Sequence, residues 1–260
     1  MAPDGVGRAA EGAPVAEVLA FILGAIFGSF ANVLIYRLPR RESVVVPGSR
    51  CPSCGVPIRP SDNIPIVSYL ILRARCRACS APISPRYPIV ELATAILMAG
   101  IVWRFGVSLA GLRYGVLAFA LLVVFFTDLE HQIIPNAVTY PGILAGIGLS
   151  AASGQAVMAV VAAAAAGLVF LILGIVSRGG MGGGDTKLAA MIGAFLGSPD
   201  VIVALFLAIA IGGIAGLLLL ALRLRSRKDQ MPFGPAMAAG AMIAVFGSNS
   251  IVHWYLSRMF

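Results

Sequence analysis

The chain has 260 residues, 59% of them hydrophobic and only 12% charged, with a formal net charge of +8 and a mean hydropathy of +0.95. Soluble domains carry about a quarter charged residues, so a water-soluble globule is excluded and an all-α polytopic membrane protein is implied. The basic excess does not indicate nucleic acid, because neither interleaved aromatics nor a recognised binding module accompanies it.

Residues 1–14 are a Gly-, Ala- and Pro-rich tail of the kind expected to stay disordered. The first apolar run, 15–36, is longer than an ordinary signal-peptide core and passes into GSFANVLIYRLPRR with no small-residue cleavage pattern. It reads as a retained helix, its inner end fixed by Arg37, Arg40 and Arg41.

Residues 37–87 are the one stretch expected to fold outside the bilayer. A subdomain of about fifty residues buries little core and usually needs a metal or disulfides. All four cysteines of the chain lie here, as Cys51-Pro-Ser-Cys54 and Cys76-Arg-Ala-Cys79. Two C-x-x-C pairs at this spacing fit a four-thiolate Zn2+ site. Four thiolates leave no open position for water, so the zinc is structural. A reducing compartment disfavours disulfides.

Seven more apolar runs follow, at 88–103, 109–127, 134–151, 156–176, 186–198, 200–222 and 232–249, making eight candidate spans. The membrane core is thus 88–249, and 250–260 is a C-terminal tail. If the runs alternate, the nine arginines of 37–87 share one side with Arg178, Lys187, Arg223, Arg225, Arg227 and Lys228. Only Arg8, Arg104, Arg113 and Arg258 fall opposite. That asymmetry is the positive-inside pattern, which puts the 37–87 insertion in the cytoplasm.

Two aspartates interrupt this apolar landscape. Asp128 closes the run LLVVFFTD, and Asp185 sits in GGMGGGDTK, just past the run ending at Val176. An ionisable group at membrane depth is costly unless it is paired, hydrated or functional. Two carboxylates brought together can share a proton and activate a water, the chemistry of an aspartic protease. The two crossings between them return the chain to the side it left, so Asp128 and Asp185 are free to meet at the cytoplasmic boundary. They are the candidate catalytic pair.

The stretch from Arg178 to Asp185 is too glycine-rich for a stable helix, at about 1 kcal/mol per Gly relative to Ala. It is expected to be irregular backbone lining a wet cavity. Gly182, Gly183 and Gly184 would let an extended peptide come close and are candidate substrate-binding residues. Lys187 could steer the ionisation of Asp185 or snorkel to the interface. Glu130 follows Asp128 at what reads as a solvated helix end before the Pro135-Asn136 start signal. Lys187 and Glu130 are grouped with the glycines as substrate contacts. A phosphate loop is excluded by the order of residues around Lys187, and no G-x-S-x-G element supports a serine hydrolase.

The segments GSFANVLIYRLPR (28–40), CPSCGVPIRPSDNIPIVSYLILRARCRACSAPISPRYPIVEL (51–92), FTDLEHQIIPN (126–136), GMGGGDTKLAAMIGAFLG (180–197) and PFGPAMAAGA (232–241) occur in this order. On these motifs the chain resembles the bacterial type IV prepilin peptidases, also called leader peptidase/N-methyltransferases. The resemblance implies an eight-helix aspartyl protease of the bacterial cytoplasmic membrane, with a cytoplasmic zinc-binding insertion. It makes Asp128 and Asp185 the catalytic pair, Asp185 standing in a G-x-G-D element that starts at Gly182. It implies prepilin or pseudopilin substrates, cut after Gly behind a short basic leader. It also implies methylation of the new N-terminus with S-adenosylmethionine. One position departs: the family's L-x-G-R-C element, associated with methyl transfer, reads LRARC here, with Ala74 in place of Gly.

Two readings from other classes compete. Intramembrane aspartates and broken helices also suit a transporter or proton pathway, but no inverted repeat relates the halves of the chain. The insertion could instead serve a non-enzymatic assembly scaffold.

Overall fold

The computed structural model describes residues 13–176, 181–224 and 231–259. Most of the expected N-terminal tail, Arg178 with Gly179 and Gly180, and Arg225, Arg227 and Lys228 lie outside the described residues. Every regular element among the described residues is helical: α1 (Ala13–Arg37), α2 (Val67–Ile71), α3 (Arg86–Phe105), α4 (Leu109–His131), α5 (Asn136–Ala152), α6 (Ala156–Val176), α7 (Gly183–Leu196), α8 (Asp200–Ala221) and α9 (Gly234–Met259). Apart from α2, these helices fall on the eight apolar runs. The last of them extends to Met259, beyond the residue 249 at which its run was expected to stop.

Five of them, α1, α3, α4, α6 and α8, are long and apolar enough to cross a bilayer. Helix α5 has 17 residues and α7 has 14. At about 1.5 Å per residue, α7 is roughly 21 Å long, short of a hydrocarbon core of about 30 Å. Side chains such as Leu168, Ile172 and Ile175 of α6 and Ile202, Phe206 and Leu217 of α8 are exposed. Water would not tolerate such faces, whereas lipid matches them. The chain is a multi-pass membrane protein.

Two compact units divide the described residues. The first takes in those of Met1–Val33 and Val45–Gly115, the second those of Leu34–Val44 and Val116–Phe260. In the first, α1 lies against α3 along a line of small residues. A Cβ added to Gly28 would stand 2.6 Å from Glu91 Cα, and one on Gly24 2.8 Å from Ala95 Cα. One turn further on, the Asn32 amide donates to the Tyr87 carbonyl at 3.0 Å. Close backbone approach through small residues is how helices associate where lipid removes the hydrophobic drive.

In the second unit the same device seats α7. A Cβ on Gly193 would lie 2.5 Å from the Ala162 carbonyl oxygen of α6, and one on Gly146 of α5 would meet Phe195 and Ala194 of α7 at 2.8 and 2.9 Å. The Ser150 hydroxyl donates to the Ala194 carbonyl at 3.0 Å. Helix α7 is consequently buried along most of its length. Likewise α9 packs on α8, with Gly240 against the backbone of Ala204 and Ala208. Helix α7 ends at Gly197, whose φ of +70° is the left-handed conformation that glycine supplies cheaply.

Candidate active site

Asp128 stands in the last turn of α4, 5% exposed, and Asp185 in the first turn of α7, 7% exposed. Both belong to the second unit. The two carboxylates are near enough for the charge of Asp128 to act on Asp185.

Each is held by a backbone amide at a helix start. The Gly182 N–H donates to Asp185 Oδ2 at 2.9 Å, while the Asp185 N–H donates to the Gly182 carbonyl at 3.1 Å. This reciprocal cap, with an acid three residues in, suits the positive end of the helix. It also corrects the expectation that the glycine run is irregular up to Asp185, because Gly183 and Gly184 lie inside α7. Capping, together with packing of α7 on α5 and α6, outweighs the low helix propensity of two glycines.

The three glycines differ in their surroundings. A Cβ on Gly184 would meet the Ile134 side chain at 3.0 Å, so its bareness serves packing against the α4–α5 connection. Gly182 is engaged with Asp185, and Gly183 faces open space. Lys187 makes its hydrogen bond with α5. Its ammonium donates to Asn136 Oδ1 at 2.6 Å and lies 5.5 Å from the centre of the Tyr140 ring, tying α7 to the start of α5. Glu130 is exposed and has His131 Nε2 at 3.9 Å.

The partner of Asp128 is one that sequence reasoning missed. The Gly234 N–H, at the start of α9, donates to Asp128 Oδ2 at 2.7 Å across 106 residues of chain. A Cβ on Gly234 would stand 2.7 Å from that same oxygen and 3.0 Å from Asp128 Cβ and Cγ. The only signal in the sequence is the Pro232-Phe233-Gly234-Pro235 turn itself, in which a glycine immediately precedes a helix-starting proline.

The cysteine site lies in the first unit. The sulfurs of Cys51, Cys54, Cys76 and Cys79 are all within 4.8 Å of one another, with Cys51 and Cys79 at 3.9 Å. Four sulfurs at about 2.3 Å from a tetrahedral zinc would be roughly 3.8 Å apart, so the donor set fits Zn2+. Each pair forms a like turn: the Cys51 N–H donates to the Val56 carbonyl and the Cys76 N–H to that of Ala81, at 3.0 and 2.8 Å. The residue after each second cysteine is left-handed, Gly55 at φ +73° and Ser80 at +58°. The thiols are unequal. The Cys54 amide leads in drawing Cys51 down to about 6. Cys79 is pushed up to about 12 although the Ala81 amide pulls the other way, because the neighbouring sulfurs and burial outweigh it. A divalent cation is what lets four such sulfurs ionise together. Arg77 adds a two-pronged bond to Asp62, Nε at 2.9 Å and a terminal nitrogen at 2.7 Å, which clamps the second turn to the short 3-10 turn Pro60–Asp62.

Against known proteins, a model of the bacterial peptidase A24 N-terminal domain matches residues 22–105, and one of the type IV leader peptidase family matches 115–217. The prepilin leader peptidase/N-methyltransferase of Pseudomonas aeruginosa is 36% identical over 94% of this chain and 94% of its own. This chain belongs to the type IV leader peptidase family. The like-named protein of Bacillus subtilis is 34% identical over 91% of this chain and 96% of its own, and that of Neisseria gonorrhoeae 33% over 94% and 96%. No solved structure matches the chain. Both aspartates lie in the region matched by the leader peptidase model, the Gly234 partner of Asp128 lies beyond it, and all four cysteines lie in the N-terminal one.

Proposed function

We propose that this chain is a membrane aspartic endopeptidase that removes the basic leader of type IV prepilins or pseudopilins, cutting after Gly at the cytoplasmic face of the bacterial inner membrane. Asp128 and Asp185 are its catalytic pair. The observation that supports this most is that two buried carboxylates from distant segments, each accepting a backbone amide at a helix start, fall within electrostatic reach of one another.

The chemistry follows from that arrangement. One aspartate, ionised, takes a proton from a water lying between the pair. The water oxygen then adds to the scissile carbonyl carbon, while the protonated partner donates a hydrogen bond to the carbonyl oxygen. Collapse of the tetrahedral species breaks the C–N bond, and the departing nitrogen takes the proton held by the pair. The N–H groups of Gly182 and Gly234 stay on the outer oxygens and fix where the remaining oxygens point. Zinc on the four cysteines stabilises the insertion and takes no part in bond breaking. In this reading α5, α7 and α9 also cross the bilayer, giving eight crossings.

Methyl transfer from S-adenosylmethionine to the new N-terminus is the second activity, and the names of the relatives support it. No strand–turn–helix of the nucleotide-binding kind occurs among the described residues.

The test is the purified chain with a synthetic peptide carrying a basic leader, Gly-Phe, and an apolar helix, read by mass spectrometry. A single cut after Gly is expected; an intact peptide would refute the reading. Adding labelled S-adenosylmethionine reports methylation, with label on the new Phe as the expected result.

A further inference from the structure

Within the insertion, α2 carries an apolar face that no described residue covers. Val67, Leu70 and Ile71 stand at i, i+3 and i+4, which places them on one side of the helix. Leu70 and Ile71 are each 68% exposed. The flank of that face is pinned inward. Ser68 is buried, its hydroxyl accepting from the Ile64 N–H and donating to the Ser61 carbonyl, both at 3.0 Å.

The start of α2 is bound to the spanning helix α3. The Ile66 N–H donates to Glu91 Oε2 at 2.7 Å. Glu91 is five residues into α3, about 7–8 Å from its first residue at 1.5 Å per residue. The polar layer on each side of a bilayer is about 5–8 Å deep, the difference between the full and hydrocarbon thicknesses. With the first residue of α3 at the outer edge of the polar layer, the bond to Glu91 would hold α2 at the boundary between headgroups and acyl chains. The backbone is distorted to put it there. Val67 N–H donates to the Pro65 carbonyl at 2.6 Å across Ile66, a β-branched residue at φ +64°. That is a γ-turn of the rare, strained kind, which persists only where its surroundings enforce it.

Charge names the occupant. Immediately after α2 come Arg73 and Arg75, both exposed, whose guanidinium groups have no partner among the described residues. With Arg77 they line an open, polar cleft that also includes Leu72, Cys76 and Ser80. Residues 37–87 carry nine arginines against two carboxylates, Glu42 and Asp62, and Asp62 is occupied by Arg77. Such a surface attracts phosphate. An apolar turn followed by arginines is the composition of a segment lying in an anionic interface.

We propose that α2 is a membrane-surface anchor: Val67, Leu70 and Ile71 enter the outer acyl region while Arg73 and Arg75 hold anionic phospholipid headgroups. The zinc turns are thereby fixed in orientation over the bilayer. This inference needs only the spanning helices and is independent of the proposed peptidase activity.

The experiment uses the full, zinc-loaded chain with Trp103→Phe and Trp254→Phe as background and Leu70→Trp as reporter. The chain is placed in nanodiscs of phosphatidylcholine alone or with phosphatidylglycerol, with and without lipids brominated on shallow acyl carbons. Expected are strong bromolipid quenching, weak quenching by aqueous acrylamide, and at least twofold more bromolipid quenching with phosphatidylglycerol. In Arg73→Glu/Arg75→Glu the dependence on phosphatidylglycerol should vanish at unchanged zinc content. Acrylamide quenching without bromolipid quenching would overturn the anchor. Equal bromolipid quenching in both lipids would overturn the headgroup role of the arginines, even if the double variant does not fold.

Discussion

Replacing Gly234 by Ala tests whether the start of α9 sets the position of the Asp128 carboxylate. The added Cβ would stand 2.7 Å from Oδ2, where ordinary contact begins at 3.4 Å. The carboxylate must therefore retreat by about 0.7 Å or rotate away from the Gly234 amide. A displacement near 1 Å costs roughly 100-fold in rate when it misplaces a reacting group. A fall in kcat of about 30- to 100-fold is expected, equivalent to roughly 2–2.7 kcal/mol of lost transition-state stabilisation. KM should stay within about twofold, since the substrate contacts are untouched. Thermal stability should fall only modestly, because the helix preference of Ala over Gly, up to about 1 kcal/mol, offsets part of the cost of the displaced carboxylate. The assay is steady-state cleavage of a synthetic leader peptide in lipid nanodiscs, with thermal unfolding alongside. A Gly234→Ala protein with kcat within threefold of the parent would refute the positioning argument.

Other outcomes follow from the same structure. Gly193→Leu drives a side chain into the Ala162 backbone of α6. It should lower the unfolding free energy by at least about 1–3 kcal/mol, seen as a lower melting temperature in detergent. Cys54→Ser removes one sulfur from the cluster; metal analysis should fall from about one zinc per chain to a small fraction, and protease sensitivity should rise within 37–87. Ala74 sits at φ +59°, a conformation costing a non-glycine residue about 1–2 kcal/mol. Ala74→Gly should therefore slow zinc loss to a chelator, and methyl transfer to cleaved pilin should rise if that strain limits it. Lys187→Met breaks the tie to Asn136 but leaves Asp185 capped, so cleavage should persist with a modest loss of thermal stability.

How much of this was legible in the sequence depends on the range of the interaction. Hydropathy over about twenty residues located the helices within a few positions, apart from the far end of α9, because each run is internally apolar whatever packs against it. The cysteine cluster was legible because two short turns with fixed spacing create it locally. The aspartates stood out by their cost in an apolar setting, but their partners did not. The amide that Asp128 accepts comes from Gly234, and a backbone N–H has no residue-type signature. The glycine run misled in the opposite direction: propensity forbids a helix at Gly183 and Gly184, yet capping by Asp185 and tight seating against Ile134 supply what propensity lacks. Lys187 looked like a neighbour of Asp185 along the chain, whereas its long side chain reaches Asn136 on α5. Of the eight apolar runs, five form helices of spanning length among the described residues, whereas the 14-residue α7, surrounded by protein, is not held to bilayer thickness.

The most direct trial of the catalytic pair is a double-mutant cycle on cleavage under single-turnover conditions, comparing Asp128→Asn, Asp185→Asn and the double variant in nanodiscs. If the two carboxylates work as one unit on one water, each single change brings the rate to background and the double change takes it no lower. A single variant keeping a tenth or more of the parent rate, or a double loss equal to the product of two partial ones, would mean that the aspartates act separately.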